Sequence, residues 1–237
     1  ARTTGGMRRL GGWFKWALLG LIGLLLVWQL WLLGWVLLWK WVEPDTTRFM
    51  EIRLGELRVN NPDARLKKQW VAYERISPHL KRAIIASEDA RFVDHEGFDW
   101  EGIQKAMEKN QKRGRTVAGG STISQQLAKN LFLTPTKSYF RKAEEAIITL
   151  MLETLWSKRR IFEVYLNVIE WGNGVFGAEA ASRHYYGIGA AQLGPEQAAR
   201  LAGMVPNPRF YDRNRNAPGL ARKTAIILAR MPAAEIP

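Results

Sequence analysis

The sequence predicts a mainly α-helical domain behind a single N-terminal membrane-spanning helix. Two observations predict the span: Trp16 to Trp39 runs 24 residues without a charge, and the residues before it are basic. A third predicts the domain. Apolar and alanine-rich segments recur at helical spacing through the rest of the chain, as at Ile123, Leu127 and Leu131, which share one face at i, i+4 and i+8.

Arg2, Arg8, Arg9 and Lys15 precede the apolar run with no acidic residue among them. About 20 apolar residues suffice to cross a bilayer as a helix. Trp13 and Trp16 at one end, and Trp35, Trp39 and Trp41 at the other, suit the two interfaces, with Gln29 the one polar residue of note between them. Basic residues first place the N-terminus in the cytoplasm and the rest of the chain outside. A cleaved signal peptide is the rival, but the run ends in Trp-Lys-Trp-Val-Glu-Pro44, without the small residues of a cleavage site. The expected division is therefore a basic segment at 1–15, an anchor at 16–41 and one domain at 42–237.

The chain has no cysteine, so the exported domain rests on its core, without disulfides or thiolate ligands. A formal net charge of +13 points to anionic partners. Export behind an anchor and the lack of any nucleic-acid-binding signature leave the membrane surface and a phosphorylated lipid.

Along the domain, Phe49-Met-Glu-Ile-Arg-Leu54 reads as a short strand with weak alternation. Ser77 and Pro78 read as the cap and first residue of a helix that ends near Glu88. Glu88 comes just after the apolar run Ala83 to Ala86 and opens a dense stretch, with Asp89, Arg91, Asp94, His95 and Glu96 before Gly97. A carboxylate at the edge of an apolar segment is a candidate general base, because partial burial brings its pKa towards working pH. A helix end with solvated charges is the alternative. Trp100 to Asn110 reads as helix. Lys105 to Gly120, with Lys112-Arg-Gly-Arg115 and Gly119-Gly120, reads as a basic, mobile loop beside the site.

Gly119-Gly120 allows a tight turn and Ser121 is a candidate cap for the next helix. Opposite its apolar face lie Thr122, Gln126 and Lys129, with Gln125 beside them. Amides and hydroxyls next to a lysine suit a sugar joined to a phosphate, and a helix N-terminus favours an anion. An ordinary amphipathic surface helix is the alternative. Thr134-Pro135 ends it. In the next helix Arg141 and Lys142 lie one turn before Glu145. Ile161 to Asn167, Ala178 to Tyr186 and Pro195 to Met204 read as further helices, with a turn at Gly172-Asn-Gly174 and a stop at Val205-Pro-Asn-Pro208.

These stretches resemble the five signatures of the peptidoglycan glycosyltransferases, in order and spacing, over about residues 65–230. Glu88-Asp-Ala-Arg-Phe-Val-Asp-His-Glu-Gly97 is similar to the first and Gly119-Gly-Ser-Thr-Ile-Ser-Gln-Gln-Leu-Ala-Lys-Asn130 to the second. Arg141-Lys-Ala-Glu-Glu145 is similar to the third, Glu163-Val-Tyr-Leu-Asn167 through Gly172 and Gly177-Ala-Glu-Ala180 to the fourth, and Leu201 to Pro208 to the fifth. The resemblance implies a lysozyme-like, two-lobed helical fold with a head and a membrane-facing jaw. It implies polymerisation of lipid II into β-1,4-linked glycan strands by inverting transfer, with release of undecaprenyl diphosphate. The chain ends at Pro237 without a Ser-x-x-Lys motif, which matches the monofunctional biosynthetic type rather than relatives with a transpeptidase domain.

The resemblance assigns Glu88 as general base towards the acceptor's 4-hydroxyl, and Glu145, rather than Glu144, as the second carboxylate near the donor diphosphate. Lys129, Arg141 and Lys142 would hold the diphosphate; Ser121, Gln125, Gln126 and Asn130 would line the substrate cleft. Some relatives carry arginine where Lys137 stands, making that contact a point charge rather than a fork. No cofactor is required. A divalent cation, Mg or Mn, could share the diphosphate, although the sequence shows no dedicated cage. The implied location is the bacterial inner membrane, single-pass, with the domain periplasmic. The implied partners are lipid II, the growing strand, the bilayer and other cell-wall synthesis or division proteins, and moenomycin is the family's donor-site inhibitor.

Three other readings compete. A lysozyme-like glycan-cleaving enzyme would have no diphosphate for the basic third signature to hold. An idle membrane scaffold would leave Glu88 and Glu145 without purpose. An anionic-lipid binder would ignore the disaccharide.

Overall fold

The computed structural model describes residues 4–114, 119–136 and 138–237, with the side chains of 4–12 and 14 left out. Lys137 and Arg115 lie outside the described residues. Residues up to Val42 and residues 43–237 form two separate compact units.

In the first unit, helix α1 spans Thr4–Trp39. Its stretch Lys15–Trp39 is long and apolar enough to cross a membrane. At 1.5 Å per residue such a helix is roughly 37 Å long, against about 30 Å of hydrocarbon. Leu24, Val27 and Leu30 are each at least 64% exposed, so the helix carries apolar side chains that no water-facing surface would favour. Trp28 stacks on Trp31, with Trp35 and Trp39 continuing the aromatic ladder.

The second unit is mainly helical. Its first element corrects the strand expected at Phe49 to Leu54: α2 is a helix, Arg48–Asn60, capped by Thr47, whose side chain accepts the N–H of Met50. Helices α3 (Pro78–Glu88), α4 (Trp100–Arg113), α5 (Ile123–Phe132), α6 (Tyr139–Leu155) and α7 (Lys158–Val168) come next, then α8 (Ala178–Tyr186), α9 (Pro195–Met204), α10 (Pro208–Arg213) and α11 (Pro218–Arg230). Because α4 runs to Arg113 and ends at Gly114 in the left-handed conformation (φ +60°), the basic segment from Lys105 to Arg113 is helical rather than looped. A small sheet joins β1 (Lys67–Lys68), β2 (Glu170–Gly172) and β3 (Val175–Phe176) in the order β1–β3–β2. β1 is parallel and β2 antiparallel to β3, with an irregularity between Glu170 and Gly172.

Two packing groups position the site. Helix α5 packs against α6, α7 and α2, and buries Ile123, Leu127, Ala128 and Leu131 as its spacing predicts. Helix α3 packs on α9, and α11 crosses both. Gly203 lets α11 come close: a Cβ there would lie 3.1 Å from Leu220 Cδ1 and 3.5 Å from Lys223 Cβ. The fourth signature is largely scaffold. Asn167, fully buried, exchanges hydrogen bonds with the backbone of Val71 on both sides, at 2.9 and 3.0 Å. Gly177, at φ +84°, passes so close to the Asn167 carbonyl that a Cβ would sit 2.7 Å from its oxygen.

Candidate active site

Ser77 caps α3 as expected, accepting the N–H of His79 while donating to the carbonyl of Leu193. The helix carries its apolar face, Leu80, Ala83, Ile84 and Ile85, into the core and delivers Glu88 at its last position. Burial pushes the Glu88 carboxyl above the usual carboxylate range, against hydrogen bonds from Gln126 and Ser87 and the positive charge of Lys223; Asp89 adds to the rise. Ser87 Oγ donates to one carboxylate oxygen at 3.1 Å and Gln126 Nε2 to the other at 3.0 Å. The far end of the Gln126 amide accepts the hydroxyl of the fully buried Tyr165 at 2.9 Å.

The neighbouring Asp89 fixes the geometry. Its buried carboxylate accepts the N–H of Ile123 at 2.9 Å and faces His95 Nε2 at 2.9 Å. Gly97 N–H donates to His95 Nδ1, which leaves Nε2 as the ring nitrogen that donates to Asp89. The start of α5 is therefore already matched to an internal anion. The cap there is Thr122, not Ser121: Thr122 accepts the N–H of Gln125, and Gln125 Oε1 accepts the N–H of Thr122, a reciprocal capping box. Gly97 closes the loop. Its carbonyl accepts the Thr122 hydroxyl at 2.7 Å, and at φ +90° a Cβ would meet Thr149 Cγ2 at 2.7 Å. Lys158 anchors the same loop, donating to the carbonyl of His95 and pairing with Glu153 at 2.8 Å.

Helix α6 supplies the second carboxylate. Glu145 is 3% exposed, whereas Glu144 is half-buried. Arg141 holds one Glu145 oxygen at 2.7 Å and Lys142 the other. Arg141 Nε is buried with no hydrogen-bond partner among the described residues. Lys129, on α5, lies within electrostatic reach of Glu145, Arg141, Lys142 and Glu88 together; its pKa is lowered, chiefly by burial. Glu88, Gln126, Lys129, Arg141, Lys142 and Glu145 are thus brought together by α3, α5 and α6.

The remaining expected residues divide. Ser121 is exposed just before α5. Gln125 is 4% exposed and engaged in the capping box, and Asn130 is 7% exposed with its amide donating to the carbonyl of Gln126. The sequence does not single out Asp89, His95, Tyr165 or Lys223 as site residues. The first two lie inside the first signature and Tyr165 inside the fourth, where a signal was present; Lys223 reaches Glu88 only through the fold. The described residues hold no cluster of three or more His, Cys, Asp or Glu able to grip a metal ion.

A base-like carboxylate and a carboxylate held by two cations, both within electrostatic reach of one lysine, suit transfer of a sugar from a phosphate. The transglycosylase family's sequence model matches residues 55–232, and the chain belongs to that family. It is 84% identical over 231 residues, 98% of this chain and 100% of the relative, to the biosynthetic peptidoglycan transglycosylase of Dechloromonas aromatica (strain RCB). It is 62% identical over 231 residues, again 98% of this chain and 100% of the relative, to the protein of that description from Azoarcus sp. (strain BH72). The corresponding protein of Chromobacterium violaceum is 62% identical over 220 residues, 93% of this chain and 96% of the relative. The enzyme is accordingly a peptidoglycan glycosyltransferase of the biosynthetic type.

Proposed function

We propose that this enzyme polymerises lipid II into β-1,4-linked glycan strands with inversion at the anomeric carbon. The observation that carries the reading is the position of Lys129, coupled both to Glu88 and to the Arg141–Lys142–Glu145 group. Glu88 removes the proton of the acceptor's 4-hydroxyl as that oxygen bonds the donor's anomeric carbon. The bond from that carbon to the diphosphate breaks, and its electron pair leaves with undecaprenyl diphosphate. Lys129, Arg141 and Lys142 meet the charge that grows there. Glu145 keeps the two α6 cations in place beside the diphosphate.

The N–H of Arg141 Nε, unmatched among the described residues, supports a ligand oxygen at this position, since buried donors are rarely left without an acceptor. Ser121 and Lys137, before and after α5 in the sequence, are assigned to contacts with the substrate. Gln125 and Asn130 support the cleft from within. A divalent cation on the diphosphate would take its oxygens chiefly from the substrate and water, since both Glu145 oxygens already meet cations and no acidic cluster stands nearby among the described residues; no step is routed through one.

The apolar stretch Lys15–Trp39, with basic residues before it, supports a single-pass anchor in the inner membrane, N-terminus cytoplasmic and domain periplasmic. That puts the domain on the side where lipid II and the growing strand are held by their lipids. Cell-wall synthesis or division proteins are the partners such a location offers. The test is polymerisation of labelled lipid II in detergent, with and without moenomycin. Strand formation that moenomycin blocks supports the reading; release of fragments from preformed glycan without strand formation overturns it.

A further inference from the structure

We propose that Tyr165 is a positioning residue for the reaction: it locks the Gln126 side chain with its N–H, not its carbonyl, against Glu88. The proposal rests on Glu88 being the base.

The geometry is a three-residue chain. Tyr165 O–H donates to Gln126 Oε1 at 2.9 Å, and Gln126 Nε2 donates to Glu88 Oε2 at 3.0 Å. A glutamine amide can turn over at little intrinsic cost, and its two faces have opposite meaning for a base. With N–H facing the carboxylate, the charged form that accepts a proton is favoured. With C=O facing it, the protonated and inactive form is favoured. Tyr165 decides between them because its hydroxyl is fully buried and Gln126 Oε1 is its acceptor. Were the amide reversed, the phenol proton would lose that acceptor in the interior. Burial, with the negative charges of Glu88 and Asp89, raises the phenol pKa well above its usual value, so Tyr165 remains a donor wherever the enzyme works.

The other groups that bear on Glu88 do not replace this lock. Asp89 disfavours its charge, while Lys223 on α11 favours it. Lys129 on α5 is coupled to it. Ser87 donates to the other oxygen, and its hydroxyl rotates freely between donor and acceptor roles. None of them distinguishes the two faces of the Gln126 amide.

The test is the pH profile of kcat/KM with labelled lipid II for the full chain and for Tyr165→Phe. Loss of the lock removes part of a charge-assisted hydrogen bond, so the acid limb should move up by about one pH unit. Activity falls about tenfold on that limb and approaches the parent's at high pH, with moenomycin affinity unchanged. In a Gln126→Leu background, Tyr165→Phe should add almost no further shift, because there is no amide left to orient. An unmoved acid limb in folded Tyr165→Phe, or an equal shift in both backgrounds, overturns the proposal. If Tyr165→Phe does not fold, Gln126→Leu alone carries the test: an acid limb that stays in place overturns the proposal. Glu88→Gln separates the two levels. A folded Glu88→Gln enzyme that still turns over with the same acid limb refutes Glu88 as base. An inactive one, beside an unmoved limb in Tyr165→Phe, refutes only the lock.

Discussion

The carboxylate of Asp89 accepts the N–H of Ile123 at 2.9 Å, tying the end of α3 to the start of α5. One bond thereby sets the helix that ends in Glu88 against the helix that carries Gln126 and Lys129. The same carboxylate accepts a hydrogen bond from His95 Nε2, so a single buried group holds the first two signatures in register. Asp89→Ala should leave the Ile123 N–H and the His95 Nε2–H without an acceptor. Charged hydrogen bonds of this kind contribute about 1.5–3 kcal/mol each. The variant should melt well below the parent, and any folded fraction should have little activity. Denaturant titration beside turnover checks both.

Gly97 offers a backbone test. At φ +90°, with a Cβ placed only 2.7 Å from Thr149 Cγ2, a side chain is strained twice over. Gly97→Ala should lose about 1–3 kcal/mol of stability. Since the Gly97 carbonyl holds the Thr122 hydroxyl at the α5 cap, activity should fall with it. A parent-like melting temperature would count against the close packing described for this loop.

Donor binding is tested by charge. Lys129→Ala should weaken moenomycin binding by about 1.5–3 kcal/mol, or roughly one to two decades. Lys109→Ala and Lys112→Ala, on the exposed face of α4, should change it little, because solvent and salt screen exposed charges. Arg141→Lys should also weaken binding, since a lysine retains one charge but offers nothing in the place of the buried Nε–H. Equal binding by folded Lys129→Ala would move the diphosphate away from α5.

The proposed orientation in the membrane rests on the basic flank. A reporter fused after Pro237 should be active only if its activity requires export. A cytoplasmic signal would contradict the assignment of the domain to the outer face.

Much of the second unit is readable in the sequence because its helices announce their ends. Ser77-Pro78 starts α3 and Pro195 starts α9, and α8 stops at Gly187 in the left-handed conformation, as a glycine permits. Elsewhere local pattern misleads. Phe49-Met-Glu-Ile-Arg-Leu mimics alternation, but Thr47 caps it as helix. Lys105 to Arg113 lacks a wide apolar face because only Ala106 is buried there, so a helix reads as a loop. The strands are two or three residues long, too short to leave a periodicity. In the site, Glu145 is distinguished from Glu144 only by the resemblance, whose third signature places the carboxylate four residues after the arginine. Tyr165 lies within the fourth signature, but its bearing on Glu88, like that of Lys223, arises from how α7 and α11 pack, which no local spacing encodes.

Glu88 also makes a prediction for stability, and its sign is opposite to that of an ordinary salt-bridged acid. Burial raises its folded-state pKa above the unfolded value, so the folded protein binds the proton more tightly. Stability from this group is fully present below the unfolded pKa and declines as pH rises through the folded one. Glu88→Gln removes the buried charge and should melt higher than the parent at alkaline pH, with the difference shrinking on acidification. A uniformly lower melting temperature would contradict the burial of an ionised carboxylate at this position.

The most direct measurement is the rate at which purified parent and Glu88→Gln proteins convert labelled lipid II into glycan strands, each checked for folding by thermal melt. General-base catalysis contributes typically about 100- to 10,000-fold, and an amide cannot accept the proton. A folded Glu88→Gln protein slowed by that order, with moenomycin binding retained, is the predicted result. Near-parent turnover in the folded variant would contradict the assignment of the base, and with it the chemistry built around α3, α5 and α6.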